Sequence, residues 1–184
     1  MTVRLLVLGG TGFVGRTLVQ EGLSRGWEVT TFNRGRRAAV DARVRALVGD
    51  RLEPQDLAVL DDGHEWELVA DTWSGAPRAV RASASRLCPR AGRYIYISSC
   101  SVYAPPPSMG APETALTVEA SPDAEGGEYA ELKRGAELAA ADAFGDRALL
   151  LRPGLILGPH EDVGRLPWWL ARMARGGEVL APGP

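Results

Sequence analysis

Lysine is nearly missing from this 184-residue chain: of its 21 basic residues, Lys133 is the only lysine and the other 20 are arginine. Cysteine and histidine are as scarce. Cys88 and Cys100 cannot build a disulfide framework, and with only His64 and His160 beside them no Cys/His spacing suggests a metal site. Both histidines stand alone and read as surface or loop residues. Long apolar runs are lacking too. Leu5 to Leu8 is too short for the core of a signal peptide, and no stretch approaches the length of a membrane-spanning helix. Nor is there an excess of positive charge. The net charge of -2 offers no electrostatic case for nucleic acid, since a domain built to track phosphates is strongly basic. These absences describe a protein expected in the cytoplasm, with no metal, no membrane and no nucleic acid among its partners.

What is present is the balance of a globular domain, with 45% hydrophobic and 24% charged residues. Strand and helix signals alternate along it. Strands are predicted at Val3 to Leu8, Glu28 to Phe32, Val44 to Val48, Leu68 to Asp71, Arg93 to Ser98 and Ala148 to Leu151. Helices are predicted at Phe13 to Arg25, from Pro54 with Leu57 and Leu60 facing inward, at Pro77 to Leu87, at Glu128 to Phe144 and at Arg165 to Arg175. The last carries Leu166, Trp169, Leu170 and Met173 on one face. Such alternation argues an α/β fold, doubly wound in the Rossmann manner, with a parallel sheet of about six strands and helices on both faces. Val3 to Leu8 is continuously apolar, as a strand buried on both sides must be. Between Ala104 and Gly127 the chain is rich in Pro, Gly, Ser and Glu, the mark of a functional or mobile loop. The length leaves room for one full domain, residues 1–157, and the start of another, residues 158–184.

The segment Gly9-Gly10-Thr11-Gly12-Phe13-Val14-Gly15 lies between the first strand and the first helix. Gly10, Gly12 and Gly15 fit G-x-G-x-x-G, and Gly9, Gly12 and Gly15 fit the related G-x-x-G-x-x-G. In a chain with 22 glycines the spacing alone is weak, but a buried strand before it and an amphipathic helix after it are the context that a pyrophosphate cradle requires. The first amide groups of a helix are unpaired and attract anions, provided side chains keep out of the way. The second strand ends in Asn33-Arg34-Gly35-Arg36-Arg37. An acid there would bond the ribose hydroxyls of NAD, whereas arginine suits the extra phosphate of NADP. NADP is therefore the expected cofactor, with NAD as the alternative.

Tyr129 and Lys133 stand four apart in a predicted helix, on one face. A phenol serves as a proton donor or acceptor near neutrality only if its pKa falls from about 10, which a neighbouring ammonium brings about. Where arginine has replaced lysine everywhere else, a retained lysine marks a place needing a compact ammonium. The fifth strand runs into Ser98-Ser99-Cys100-Ser101-Val102-Tyr103, at the strand ends where doubly wound sheets bind ligands.

Taken together, these motifs, with Glu137 four residues beyond Lys133 and Leu151-Arg152-Pro153-Gly154 after the sixth strand, resemble the extended short-chain dehydrogenase/reductase superfamily, in its epimerase/dehydratase-like branch. The resemblance implies that Tyr129 is the catalytic acid/base and that Lys133 holds the nicotinamide ribose. It implies that Ser99 bonds the reacting oxygen and that Asp50 caps the adenine ring with Arg51 beside it. Pro153 would lie against the nicotinamide, and Thr72 follows the fourth strand at the cofactor's edge. Asn33-Arg34-Gly35 looks like the NADP-leaning reductases more than the sugar-nucleotide epimerases. Dehydratases of this branch carry an acidic pair after the catalytic hydroxyl residue; Cys100 and Ser101 stand there instead and count against dehydration. Extended members continue into a substrate domain, so the resemblance implies a fragment or a truncated relative. It implies an oxidoreductase or epimerase acting on a small molecule; a regulatory dinucleotide sensor without turnover is the alternative. Family dimers pair through the helix of Tyr129 and Lys133, where Leu132, Ala136, Leu138 and Ala139 suit an interface or a core equally.

Overall fold

The computed structural model describes residues 2–37, 40–105 and 110–180. Part of the expected Ala104 to Gly127 loop, residues 106–109, and the last four residues lie outside it. Six strands, β1 (Arg4–Leu8), β2 (Glu28–Asn33), β3 (Arg45–Val48), β4 (Trp66–Asp71), β5 (Ala91–Ile97) and β6 (Ala148–Leu151), form one sheet in the order β3-β2-β1-β4-β5-β6. Every adjacent pair is parallel. Four α-helices accompany them: α1 (Phe13–Ser24), α2 (Pro77–Leu87), α3 (Tyr129–Phe144) and α4 (Arg165–Ala174). The winding reverses between β1 and β4, so the crevice beyond their carboxyl ends is where such a sheet takes a ligand.

The alternation along β1 explains why the run is apolar throughout. Leu6 and Leu8 join Phe32, Val80, Leu87, Tyr94 and the α3 alanines on one face, while Leu5 and Val7 join Val19, Val29 and Ala70 on the other. Each fully buried side chain of this size stabilises the fold by about 1.5–3 kcal/mol. Ala136 and Ala139 belong to that core, whereas Leu132 and Leu138 are half-buried.

Three segments differ from the sequence expectation in detail. No α-helix begins at Pro54; a short 3-10 turn spans Asp56–Asp61, with Leu57 and Leu60 buried as expected. The turn closes on an i to i+3 bond, Ala58 N–H donating to Gln55 O at 3.2 Å, with the Asp56 side chain tied back to Asp50 N–H at 2.8 Å. The fifth strand starts at Ala91 because Trp66 already pairs with it in register. Finally, α4 exposes its apolar face, including Trp169, Leu170 and Met173, and no described residue beyond β6 is buried.

Candidate active site

The turn out of β1 is built from glycine for two separate reasons. Gly9 and Gly10 adopt φ of 121° and 90°, where a side chain is strained. Gly15 has an ordinary backbone, but a Cβ on it would sit 2.5 Å from Gly10 N, so its bareness lets α1 close against the loop. Gly12 is different. It is the N-cap of α1, and a Cβ there would meet nothing within 4 Å. No side chain caps α1 and no acid stands in its first turn. The helix therefore offers unpaired N–H groups and its positive dipole end to whatever enters. By contrast α3 is closed by a reciprocal capping box between Glu128 and Glu131. An anionic pyrophosphate fits the first helix end and not the second.

From this cradle a cavity of about 720 Å³ opens along the sheet's edge, and Gly9, Thr11, Gly12, Asn33, Asp50 and Thr72 all line it. Thr72 is anchored by its hydroxyl on Leu8 O at 3.0 Å, and Arg37 reaches back to Thr11 O at 3.3 Å. Arg34, Arg36 and Arg37 line the cavity as well, and Asn33 Oδ1 accepts Gly35 N–H at 2.9 Å. Arg51 reaches the same wall, but its guanidinium is spent elsewhere. Its two Nη atoms donate to the buried Asp71 carboxylate at 2.6 and 2.8 Å, with Ser83 as a further partner.

A second pocket, of about 170 Å³, lies on the other side of the α1 N-terminus. Phe13, Val14, Ser99, Tyr129 and Pro153 line it together. Ser99 Oγ accepts from Ser101 N–H and lies equally near Ser101 Oγ, both at 3.1 Å. Tyr129, the first residue of α3, is half exposed to this pocket. Lys133 lines neither cavity. It is 4% exposed, and Nζ donates to Trp73 O at 2.8 Å and Ile97 O at 2.7 Å, above the Tyr96 ring. Burial pushes this ammonium down to about 8, against the pull of Asp71 and Glu137. Of its three donors, two are taken and one remains.

Beneath the pocket, Glu137 is wholly buried and receives Arg152 Nε and Nη2, each at 2.8 Å, and Arg134 Nη1 at 2.9 Å. Burial alone would raise its pKa, but the bonds from Arg152 and Arg134 win and hold the carboxyl below the ordinary glutamate range. The pair ties α3 to the segment carrying Pro153, whose carbonyl accepts from Cys100 N–H at 2.9 Å.

Comparison with known proteins bears on this arrangement. The family model of the NAD dependent epimerase/dehydratase family matches residues 5–184. The chain belongs to that family. Among solved structures, it is similar to the Bordetella bronchiseptica enzyme WbmG in complex with NAD (18% identity, TM-score 0.75, covering 97% of this chain and 62% of that one). It is similar to a UDP-galactose 4-epimerase (22% identity, TM-score 0.70, 96% and 64% covered). A third is MoeE5 in complex with UDP-glucuronic acid and NAD (24% identity, TM-score 0.68, 92% and 60% covered). The chain thus spans about three fifths of the length of these structures, and at such identities they share its fold. No curated protein sequence matches it significantly.

Within this epimerase/dehydratase-family site, several lining residues were not legible in the motifs. Trp73, Ser74 and Gly75 border the larger cavity, and Ile156, Glu161, Val163 and Arg165 border the smaller one. The signal that would have found Asp71 is an acid closing the apolar run Leu68-Val69-Ala70 in β4. Its partner Arg51, 20 residues earlier, has no sequence signature.

Proposed function

We propose that the chain forms the cofactor-binding half of an oxidoreductase or epimerase that moves hydride at a carbonyl or alcohol carbon of a small molecule. One observation carries this reading: Ser99 and Tyr129 face the same pocket as Phe13 and Val14, at the first turn of the helix whose N-terminus forms the cradle. A nicotinamide dinucleotide, when bound, supplies the hydride donor or acceptor. The chain's own groups do the rest. The Tyr129 hydroxyl gives a proton to the substrate oxygen during reduction and takes it back during oxidation. Ser99 Oγ donates a hydrogen bond to the same oxygen and polarises it. Lys133 presents its remaining N–H to the ribose beside the reacting ring, and Pro153 forms the wall against that ring. At the other end Thr11, Gly12 and the α1 amides take the pyrophosphate, and Asp50 and Thr72 border the adenosine.

Dehydration is the less suited chemistry, because Cys100 and Ser101 follow Ser99 where a carboxylate would be needed. The nearby Glu161 is occupied with the first amides of α4, accepting Arg165 N–H at 3.0 Å and Leu166 N–H at 3.4 Å.

For the cofactor, the reading is NADP before NAD. Three arginines and no acid stand at the end of β2, and guanidinium forks suit a phosphomonoester. Titration of the chain with NADPH and NADH, followed by fluorescence, tests it. Replacing Arg34 with Ala should weaken NADPH by ~10-fold or more and leave NADH nearly unchanged. Equal losses for both refute the preference, and binding of neither refutes the site.

A further inference from the structure

From the wall of the larger cavity a buried polar chain runs to Lys133, and the proposed reaction does not account for it. Asp71 ends β4 with no exposed surface. Arg51 grips it through both Nη atoms, Tyr94 OH donates to it at 2.5 Å, and Trp73 N–H donates to Oδ1 at 2.9 Å. An apolar replacement of such a pair commonly leaves a core no less stable, so stability alone gives little reason for it.

Trp73 is held three times over. Its N–H is on Asp71, its indole Nε1–H is on Ala76 O at 2.9 Å, and its ring lies 5.1 Å under the Arg51 guanidinium. The carbonyl of that clamped residue accepts from Lys133 Nζ at 2.8 Å and from Tyr96 OH at 2.9 Å. We infer that Asp71 is a positioning residue for Lys133: with Arg51 it fixes the main chain of Trp73, whose carbonyl aims the lysine ammonium. The inference rests on the reading of Lys133 as part of the reaction site. Arg51 also lines the adenosine-side cavity, and its Nε is buried with no hydrogen-bond partner among the described residues. The same guanidinium therefore stands between the cofactor's adenosine end and the lysine.

The groups that set the charge on Lys133 come from every side. Asp71 faces it from β4 and Glu137 from α3 itself; the Tyr96 ring lies 4.9 Å below Nζ on β5. Arg51 stands behind Asp71 and Tyr129 one turn before Lys133. Of these, Asp71 is the foremost anion favouring the ammonium against the cost of burial.

Because Lys133 is the only lysine, isotope-labelled lysine gives a single side-chain signal whose titration can be followed by NMR without cofactor or substrate. The variant is Asp71→Asn, which keeps an oxygen for Trp73 N–H and removes the charge. Burial holds Lys133 down at about 8 in the parent, and the variant is expected to bring it to ~7 or lower, a tenfold fall in the ratio of ammonium to amine at a given pH. In turnover, the limb of the pH profile that falls as the ammonium deprotonates moves to lower pH by the same amount. An unmoved Lys133 titration in folded Asp71→Asn overturns the inference.

If that variant does not fold, Trp73→Phe serves instead. It keeps the carbonyl and loses the indole bond to Ala76. A displaced Lys133 signal and titration support the clamp, and an unchanged signal overturns it. The two readings separate cleanly: a shifted Lys133 in a chain that binds neither NADPH nor NADH refutes the proposed site and leaves the positioning role standing.

Discussion

Alanine at Gly12 and alanine at Gly15 should fail in opposite ways, and the structure fixes both magnitudes. Gly12 has φ -90° and ψ 179°, which alanine adopts without strain, and its added Cβ meets no protein atom within 4 Å. As an N-cap alanine is worse than glycine by about 0.5–1 kcal/mol. The stiffer unfolded chain returns about 0.4–1 kcal/mol. Stability should therefore change by less than about 0.5 kcal/mol, a Tm shift within ~2 °C. The methyl group does, however, stand in the space a phosphate must enter to reach the α1 amides. Affinity for NADPH should fall ~10- to 100-fold, or about 1.4–2.8 kcal/mol. At Gly15 the new Cβ lies 2.5 Å from Gly10 N and 2.9 Å from its Cα, both main-chain atoms that no rotamer change can clear. The loop and helix must separate, at about 1–3 kcal/mol, lowering Tm by ~3–10 °C. Thermal unfolding by circular dichroism, then fluorescence titration at a temperature where both variants are folded, distinguishes them. Parental affinity in Gly12→Ala would refute the cradle, and a parental Tm in Gly15→Ala would refute the tight closure of α1.

Two further outcomes follow from the smaller pocket and the ion pair beneath it. Tyr129→Phe should keep NADPH affinity within about twofold and lower kcat by ~10²–10⁴, and steady-state rates near the parent's would remove the proton role. Glu137→Gln leaves Arg152 and Arg134 facing a neutral group in the interior. It should cost about 3 kcal/mol, read as a fall in Tm of ~6–12 °C. Because Glu137 titrates below the ordinary glutamate range, its stabilisation is complete above pH ~4.3 and is lost as pH falls through its lowered value. Chemical denaturation from pH 7 downward should therefore show the parent losing stability toward acid more steeply than the variant. Parallel curves would contradict the assignment.

How far this site could be read without coordinates depends on how local each feature is. The cradle was legible because the strand, the glycines and the helix that define it are contiguous, and the Tyr129–Lys133 pair because helical spacing alone places it. β1 was visible as an apolar run because burial on both faces leaves no room for polar alternation, whereas the mixed and partly exposed strands such as β2 and β3 were read from β-branched residues and the turns that bound them. Arg51 shows where such reading stops. Adjacent to Asp50 in sequence, it was expected beside the adenine, yet its Nη atoms bond Asp71 and Ser83, 20 and 32 residues away. Lys133 is similar. Its position on α3 was readable, but its two carbonyl partners belong to β5 and to the turn after β4, and only the folded sheet brings those together. The turn after Pro54 differs because it closes by i to i+3 bonding with Asp56 tied back to Asp50, which apolar spacing alone does not reveal.

The bidentate bond between Glu137 and Arg152 joins the helix that bears Tyr129 to the strand end that bears Pro153. The Tyr129 wall and the Pro153 wall of the smaller pocket therefore belong to one frame tied by a buried ion pair. Gly154 to Arg165, which complete the smaller pocket, contribute nothing buried to that frame. Such a division of labour makes the pocket modular. The segment after Gly154 can be exchanged or evolve without disturbing the buried ties that place Tyr129 and Pro153, and grafting there is the natural way to reshape the pocket.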